Sequence, residues 1–180
     1  WHQGKNFFME DGYIYKNFAQ NGGGVWSQGT FTMSGGYIVA NEAIFPYDRE
    51  DGYGGGVWVN DKSIFQMKDG AIQGNFAGMS GGGVWVNDTA EFVMQGGEIS
   101  GNIAQLGGGV YLQRHEDGGG PGIFRLSGDA SIHGNKGTVA GGGMYVKGIL
   151  EVTGGEVDRN VSDSEYPNLA IEPIGEVREG

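Results

Sequence analysis

The segment GGGVWVNDKSIFQMKDGAIQGN, residues 54–75, returns almost unchanged as GGGVWVNDTAEFVMQGGEISGN at 81–102. A pattern that recurs at a fixed interval of about 20–50 residues marks stacked units, each too small to bury an apolar face alone. Aligned on its apolar triplets, the 180-residue chain yields six copies. One column reads Phe7, Phe31, Phe65, Phe92, Phe124, Leu150, and two residues on come Met9, Met33, Met67, Met94, Leu126, Val152. A third column is Ile14, Ile38, Ile72, Ile99, Ile132, Val157, followed three residues later by Asn17, Asn41, Asn75, Asn102, Asn135, Asn160. Small residues come next, at Ala19, Ala43, Ala77, Ala104, Gly137 and Ser162, and a glycine run opens the following copy.

Uninterrupted copies start 26 or 27 residues apart, and each holds three short alternating segments, such as GVWV, EFVM and GEIS in the fourth. Period-two alternation over four residues, bounded by glycine and asparagine, reads as strand. The expected fold is therefore all-β: a right-handed parallel β-helix of about six coils with three short strands per coil. Stacked strands lie about 4.8 Å apart, so the expected rod is roughly 29 Å long. Like columns then pile along the axis, Phe on Phe and Ile on Ile. The asparagines are expected at a turn, where Asn tolerates a left-handed backbone and stacked amides bond from coil to coil.

Residues 1–162 form the expected repeat domain, with insertions at 44–53 and 113–122. Residues 163–180 read as a capping segment or tail, in which Leu169, Ala170 and Ile171 supply one more strand. Trp1 with HQGKNF matches Trp26 with SQGTF, so the chain opens inside its first copy and is expected to belong to a larger polypeptide.

Glycine accounts for 39 residues, but without a Gly-X-Y period and with only 4 prolines, which excludes collagen. The net charge of −11 argues against nucleic acid and anionic membrane as partners. With no cysteine there is no disulfide framework and no thiolate metal site. No apolar run is long enough to insert in a membrane.

The phrase ISGNIAQLGGGVYL resembles the Asn-containing and Gly-Gly-Ala/Val-Ile/Val repeats of polymorphic outer-membrane proteins and related bacterial surface proteins of the pectin-lyase-like superfamily. FTMSGGYIVAN is similar to repeats in large secreted proteins of gut and oral bacteria. The resemblance covers residues 1–162 and implies a secreted or cell-surface location. The superfamily holds adhesins, autotransporter passengers, polysaccharide lyases and glycoside hydrolases together, so it implies fold more than function. No position matches a lyase motif, and no catalytic residue is carried over.

The first strand of each copy carries one more column. Its apolar flanks, such as Val57 and Val59 or Val84 and Val86, point to the core, so the middle residue is expected to face solvent. That middle residue is Trp1, Trp26, Trp58, Trp85, Tyr111 and Tyr145, which uses all 4 tryptophans of the chain. An exposed aromatic strip marks a binding surface, and broad rings with a polar edge suit sugars or protein. Two plainer readings stand beside it: the rings stack only to stiffen the rod, or a neighbouring domain covers them.

The two insertions are expected to flank this strand on opposite edges, about two coils (roughly 10 Å) apart. They bring Asp48, Glu50 and Asp51 on one side and His115, Glu116 and Asp117 on the other. These acidic loops are candidates for ligand contact or for calcium, a hard cation that takes oxygen ligands. A facing carboxylate pair would also suit glycoside hydrolysis, although charged loops are most often simply solvated. His2, His115 and His133 show no metal-ligand spacing, and no metal or other cofactor is expected beyond calcium.

Three functions follow. The first is a non-catalytic module that binds polysaccharide or cell-surface glycan through the column Trp26, Trp58, Trp85, Tyr111 and Tyr145. The second is a polysaccharide lyase or glycoside hydrolase that uses the acidic loops. The third is a spacer rod of a large adhesin.

Overall fold

The computed structural model describes residues 2–45, 51–115, 119–163, 166–172 and 175–180, with side chains from residue 6 onward. Among these residues there is no helix; the regular structure is entirely strand. The strands form one sheet of 16 and one of 6, and every ladder between them runs parallel. Parallel strands need long crossover connections, which here are supplied by the rest of each repeat copy. The result is a solenoid-like, nearly closed arrangement compatible with a parallel β-helix.

The register follows the sequence columns. Phe31 pairs with Phe65, Phe65 with Phe92, Phe92 with Phe124, and Phe124 with Leu150. These phenylalanines are buried, and their rings stack at 4.6, 4.8 and 5.0 Å with interplanar angles of 7° or less. Met33, Met67 and Met94, with Ile38, Ile72, Ile99 and Ile132, complete one continuous core. Offset stacking adds about 0.5–1.5 kcal/mol per ring pair to the burial of the rings. Ala43, Ala77 and Ala104 make a second, smaller cluster under the six-stranded sheet.

The asparagine column builds a hydrogen-bonded ladder. Asn41 donates from its backbone N–H and from Nδ2 to Oδ1 of Asn75, at 2.9 and 3.0 Å. Its Nδ2 also donates backward to the carbonyl of Ile14 at 2.9 Å. The same set recurs at Asn75, Asn102 and Asn135. Asn41, Asn75, Asn102 and Asn135 are buried, each with its amide satisfied.

One expectation at this turn is corrected. The left-handed residue is not the asparagine but the one before it: Lys16, Ala40, Gly74, Gly101, Gly134 and Arg159 all have φ between 50° and 63°. The sharp turn there aims the following side chain inward, where Asn is needed as donor and acceptor rather than for its backbone tolerance.

The glycine run is a point of close approach. A Cβ on Gly82 would lie 2.4 Å from the carbonyl oxygen of Gly108 and 2.5 Å from that of Ile103. Both are backbone atoms that cannot swing aside. Beyond the sixth copy, Leu169–Ile171 pairs with Met144–Val146, as the sequence suggests, and Glu176–Glu179 adds to Ile149–Val152. Asn168 closes the ladder, accepting from the N–H and Nδ2 of Asn160 at 3.1 and 3.3 Å.

Candidate functional site: the aromatic column

The first strands stack with their middle residues in line: Trp26 on Trp58, Trp58 on Trp85, Trp85 on Tyr111, and Tyr111 on Tyr145. From Trp58 the rings are stacked at 5.3, 4.4 and 5.4 Å, with angles of 15° or less. Their flanking residues Val57, Val59, Val84, Val86, Val110, Leu112, Met144 and Val146 are in the core. The rings therefore stand on the face of the sheet away from that core, as alternation requires.

Their exposure differs from the expectation. Trp26, Trp58 and Tyr145 are half-buried, but Trp85 and Tyr111 retain only 7% and 4% exposure. Alternation states which face a side chain leaves by, not what lies on that face. Here each central ring is sandwiched by its neighbours. Tyr53 also packs edge-on against Trp85 at 4.7 Å and against Trp58 at 6.0 Å. Among the described residues the indole N–H groups of Trp58 and Trp85 are buried without an acceptor, and an unmet buried donor costs about 1–3 kcal/mol.

Burial shapes the titration of the tyrosines. Desolvation pushes the Tyr145 hydroxyl up to about 12, reinforced by its hydrogen bond to the Glu172 carboxylate and by that charge. Tyr111 is raised further, first by burial and then by the neighbouring Tyr145, Glu172 and Tyr53. Tyr53 is raised by burial, with the Asp51 carboxylate adding to it.

Of the loop residues named as candidates, Asp48, Glu50, Glu116 and Asp117 lie outside the described residues. Asp51 sits at the base of its loop: its carbonyl accepts from the N–H of Phe45 at 2.8 Å, and its carboxylate lies close enough to Tyr53 to act on that hydroxyl. His115 folds back onto the preceding copy. Its N–H donates to Oδ1 of Asp88 at 3.0 Å, and its Nε2 lies 3.2 Å from Oδ2. Asp88 is raised, chiefly by burial, with His115 pulling in the other direction. The loop base is tied by Gly122 N–H donating to Gln113 at 2.8 Å, and by an antiparallel bridge between Arg114 and Pro121. Among the described residues no group of three or more His, Asp or Glu is arranged to hold a metal, and no helix is long and apolar enough to cross a membrane.

Three residues at this face were not singled out by the sequence. Tyr53 occupies the position just before a glycine run, the column of Asn21, Ser80 and Leu106; its being the aromatic member there was a legible signal. Glu172 and Tyr166 lie beyond the repeat, where no column exists to place them.

Comparison with family models, with curated proteins and with solved structures gave no match. What the fold and site define is an all-β, parallel-stranded repeat protein bearing a stacked aromatic column on the sheet face away from its core.

Proposed function

We propose that this chain is a right-handed parallel β-helix of the pectin-lyase-like kind, about six coils of three short strands, serving as a non-catalytic binding module. Its ligand is polysaccharide or surface glycan, and it works in a secreted or cell-surface bacterial protein. The observation that carries the reading is the column itself: five successive first strands each place one aromatic on the face away from the core. Trp26, Trp58 and Tyr145 are the rings open enough to be touched, and aromatic rings are the kind of surface a sugar ring stacks on. The burial of Trp85 and Tyr111 gives them a supporting part, holding the outer rings in line.

That burial also favours a second reading, a spacer rod whose aromatic stack only stiffens it. Retardation of the chain in gels cast with a panel of polysaccharides separates the two. Mobility shifted by at least one glycan, and restored in Trp26→Ala and Trp58→Ala, is the expected result. No retardation on any glycan would leave the spacer.

A further inference from the structure

The aromatic column ends abruptly. Above Tyr145 the next residue in register is Ala170, whereas every position from Trp26 to Tyr145 is an aromatic. Rings below lie 4.4–5.4 Å apart, and the alanine, itself only 5% exposed, carries no ring over Tyr145. A groove of about 380 Å³ opens at this place, lined by Tyr145, Tyr166, Leu169, Ala170, Ile171 and Glu172. Tyr166 and Ile171 on its walls are 56% and 50% exposed. The Glu172 carboxylate is half-buried at its edge and accepts the Tyr145 hydroxyl. An ionised carboxylate has about four lone-pair sites, so this one bond leaves it able to accept more.

Ligand sites combine apolar walls with a few placed polar groups, and this groove has that composition. An aromatic side chain of a partner would fill the vacancy but would leave the carboxylate desolvated beside it. A sugar ring satisfies both, its apolar face against Tyr145 and a hydroxyl donating to Glu172 in a charge-assisted bond. We propose that the groove is a terminal subsite for one neutral hexose ring, seated where the column lacks a ring. The carboxylate, on a chain of net charge −11, turns away uronate and other acidic sugars by like-charge repulsion. This rests on the glycan-binding reading of the column.

The test is affinity electrophoresis and calorimetry of the full chain against three neutral polymers (a β-glucan, a mannan and a galactan) and one acidic polymer, polygalacturonate. The variants are Ala170→Trp, which completes the stack and fills the groove, Glu172→Gln, Tyr166→Ala and Trp58→Ala. Binding to a neutral polymer, weakened about 10-fold or more by Ala170→Trp and several-fold by Glu172→Gln, is the expected result. Because Ala170 is only 5% exposed and a large side chain there risks overpacking, Ala170→Trp is read only where its unfolding midpoint matches the parent's; otherwise Glu172→Gln and Tyr166→Ala carry the test. If Trp58→Ala weakens binding while the three groove variants bind like the parent, the subsite is wrong and the column reading stands. Preference for polygalacturonate would also overturn the subsite. If the parent binds none of the polymers, the subsite falls together with the reading it rests on.

Discussion

Asn75 directs two donors, its backbone N–H and its Nδ2, at a single atom, Oδ1 of Asn102, each at 2.9 Å. Asn102 in turn returns an Nδ2 bond to the carbonyl of Ile72 and sends two onward to Asn135. Each buried asparagine thus serves three copies of the repeat at once.

Replacing Asn102 by alanine strips the acceptor from both Asn75 donors and the donor from Ile72. An unsatisfied buried polar group costs about 1–3 kcal/mol, so a loss of about 3–5 kcal/mol is expected. Asn17, exposed at the first position of the ladder, has one side-chain bond among the described residues, from its Nδ2 to Oδ1 of Asn41. Asn17→Ala should cost about 1 kcal/mol. Urea unfolding midpoints of the two variants check the contrast, and equal losses would argue against the ladder as the main tie between copies.

Phe92 lies between Phe65 and Phe124, with ring centroids 4.8 and 5.0 Å away, and is fully buried. Phe92→Ala opens a cavity that parallel strands on either side cannot close. The expected cost is about 3–5 kcal/mol, read by thermal or urea unfolding; Phe92→Leu should recover most of it.

Gly82 and Gly74 make a second pair for comparison. At Gly82 an added Cβ meets backbone oxygens 2.4 and 2.5 Å away, whereas at Gly74 nothing lies within 4 Å but φ is +60°. Gly82→Ala must move the neighbouring copy and should cost about 3 kcal/mol or more. Gly74→Ala should cost about 1–2 kcal/mol, the strain of a left-handed alanine. The occurrence of Lys16, Ala40 and Arg159 at the equivalent turn fits the smaller figure. Soluble yield and unfolding midpoint report the difference.

Alkaline pH should loosen the aromatic face. A free tyrosine ionises at about pH 10, but the folded chain keeps the Tyr145 proton until about 12, and burial raises Tyr111 as well. Between those values the folded state binds more protons than the unfolded one, so stability falls as pH rises. The stabilisation is complete below about pH 10 and declines as pH climbs toward 12. Tyr111→Phe with Tyr145→Phe should flatten that decline in urea midpoints measured from neutral to strongly alkaline pH. An unchanged slope would count against burial as the cause.

The columns were legible because a repeat spells its own register: Phe31, Phe65, Phe92 and Phe124 sit at one position of the sequence pattern and pair in space. The same alignment put Trp58, Trp85 and Tyr111 in line and on the correct face. It did not reveal the burial of Trp85, against which Tyr53 packs from the end of an insertion. Nor did it reveal that His115 lands on Asp88, since a loop's path is set by its own turns and not by the repeat. The tail was half legible. Leu169–Ile171 continues an apolar column, but Glu176–Glu179 is a strand made largely of charge, recognisable only by the strand it lies against. Asn168 took its place in the ladder from outside the repeat, eight residues past Asn160.

The identical joint between one buried asparagine and the next has an evolutionary side. Because Asn75 meets Asn102 through the same contacts by which Asn102 meets Asn135, a whole unit can be duplicated or lost in the gene without any surviving neighbour having to adapt. Reach then becomes a heritable quantity that changes in increments of about 4.8 Å, and recombination can lengthen or shorten the molecule while its chemistry stays as it was.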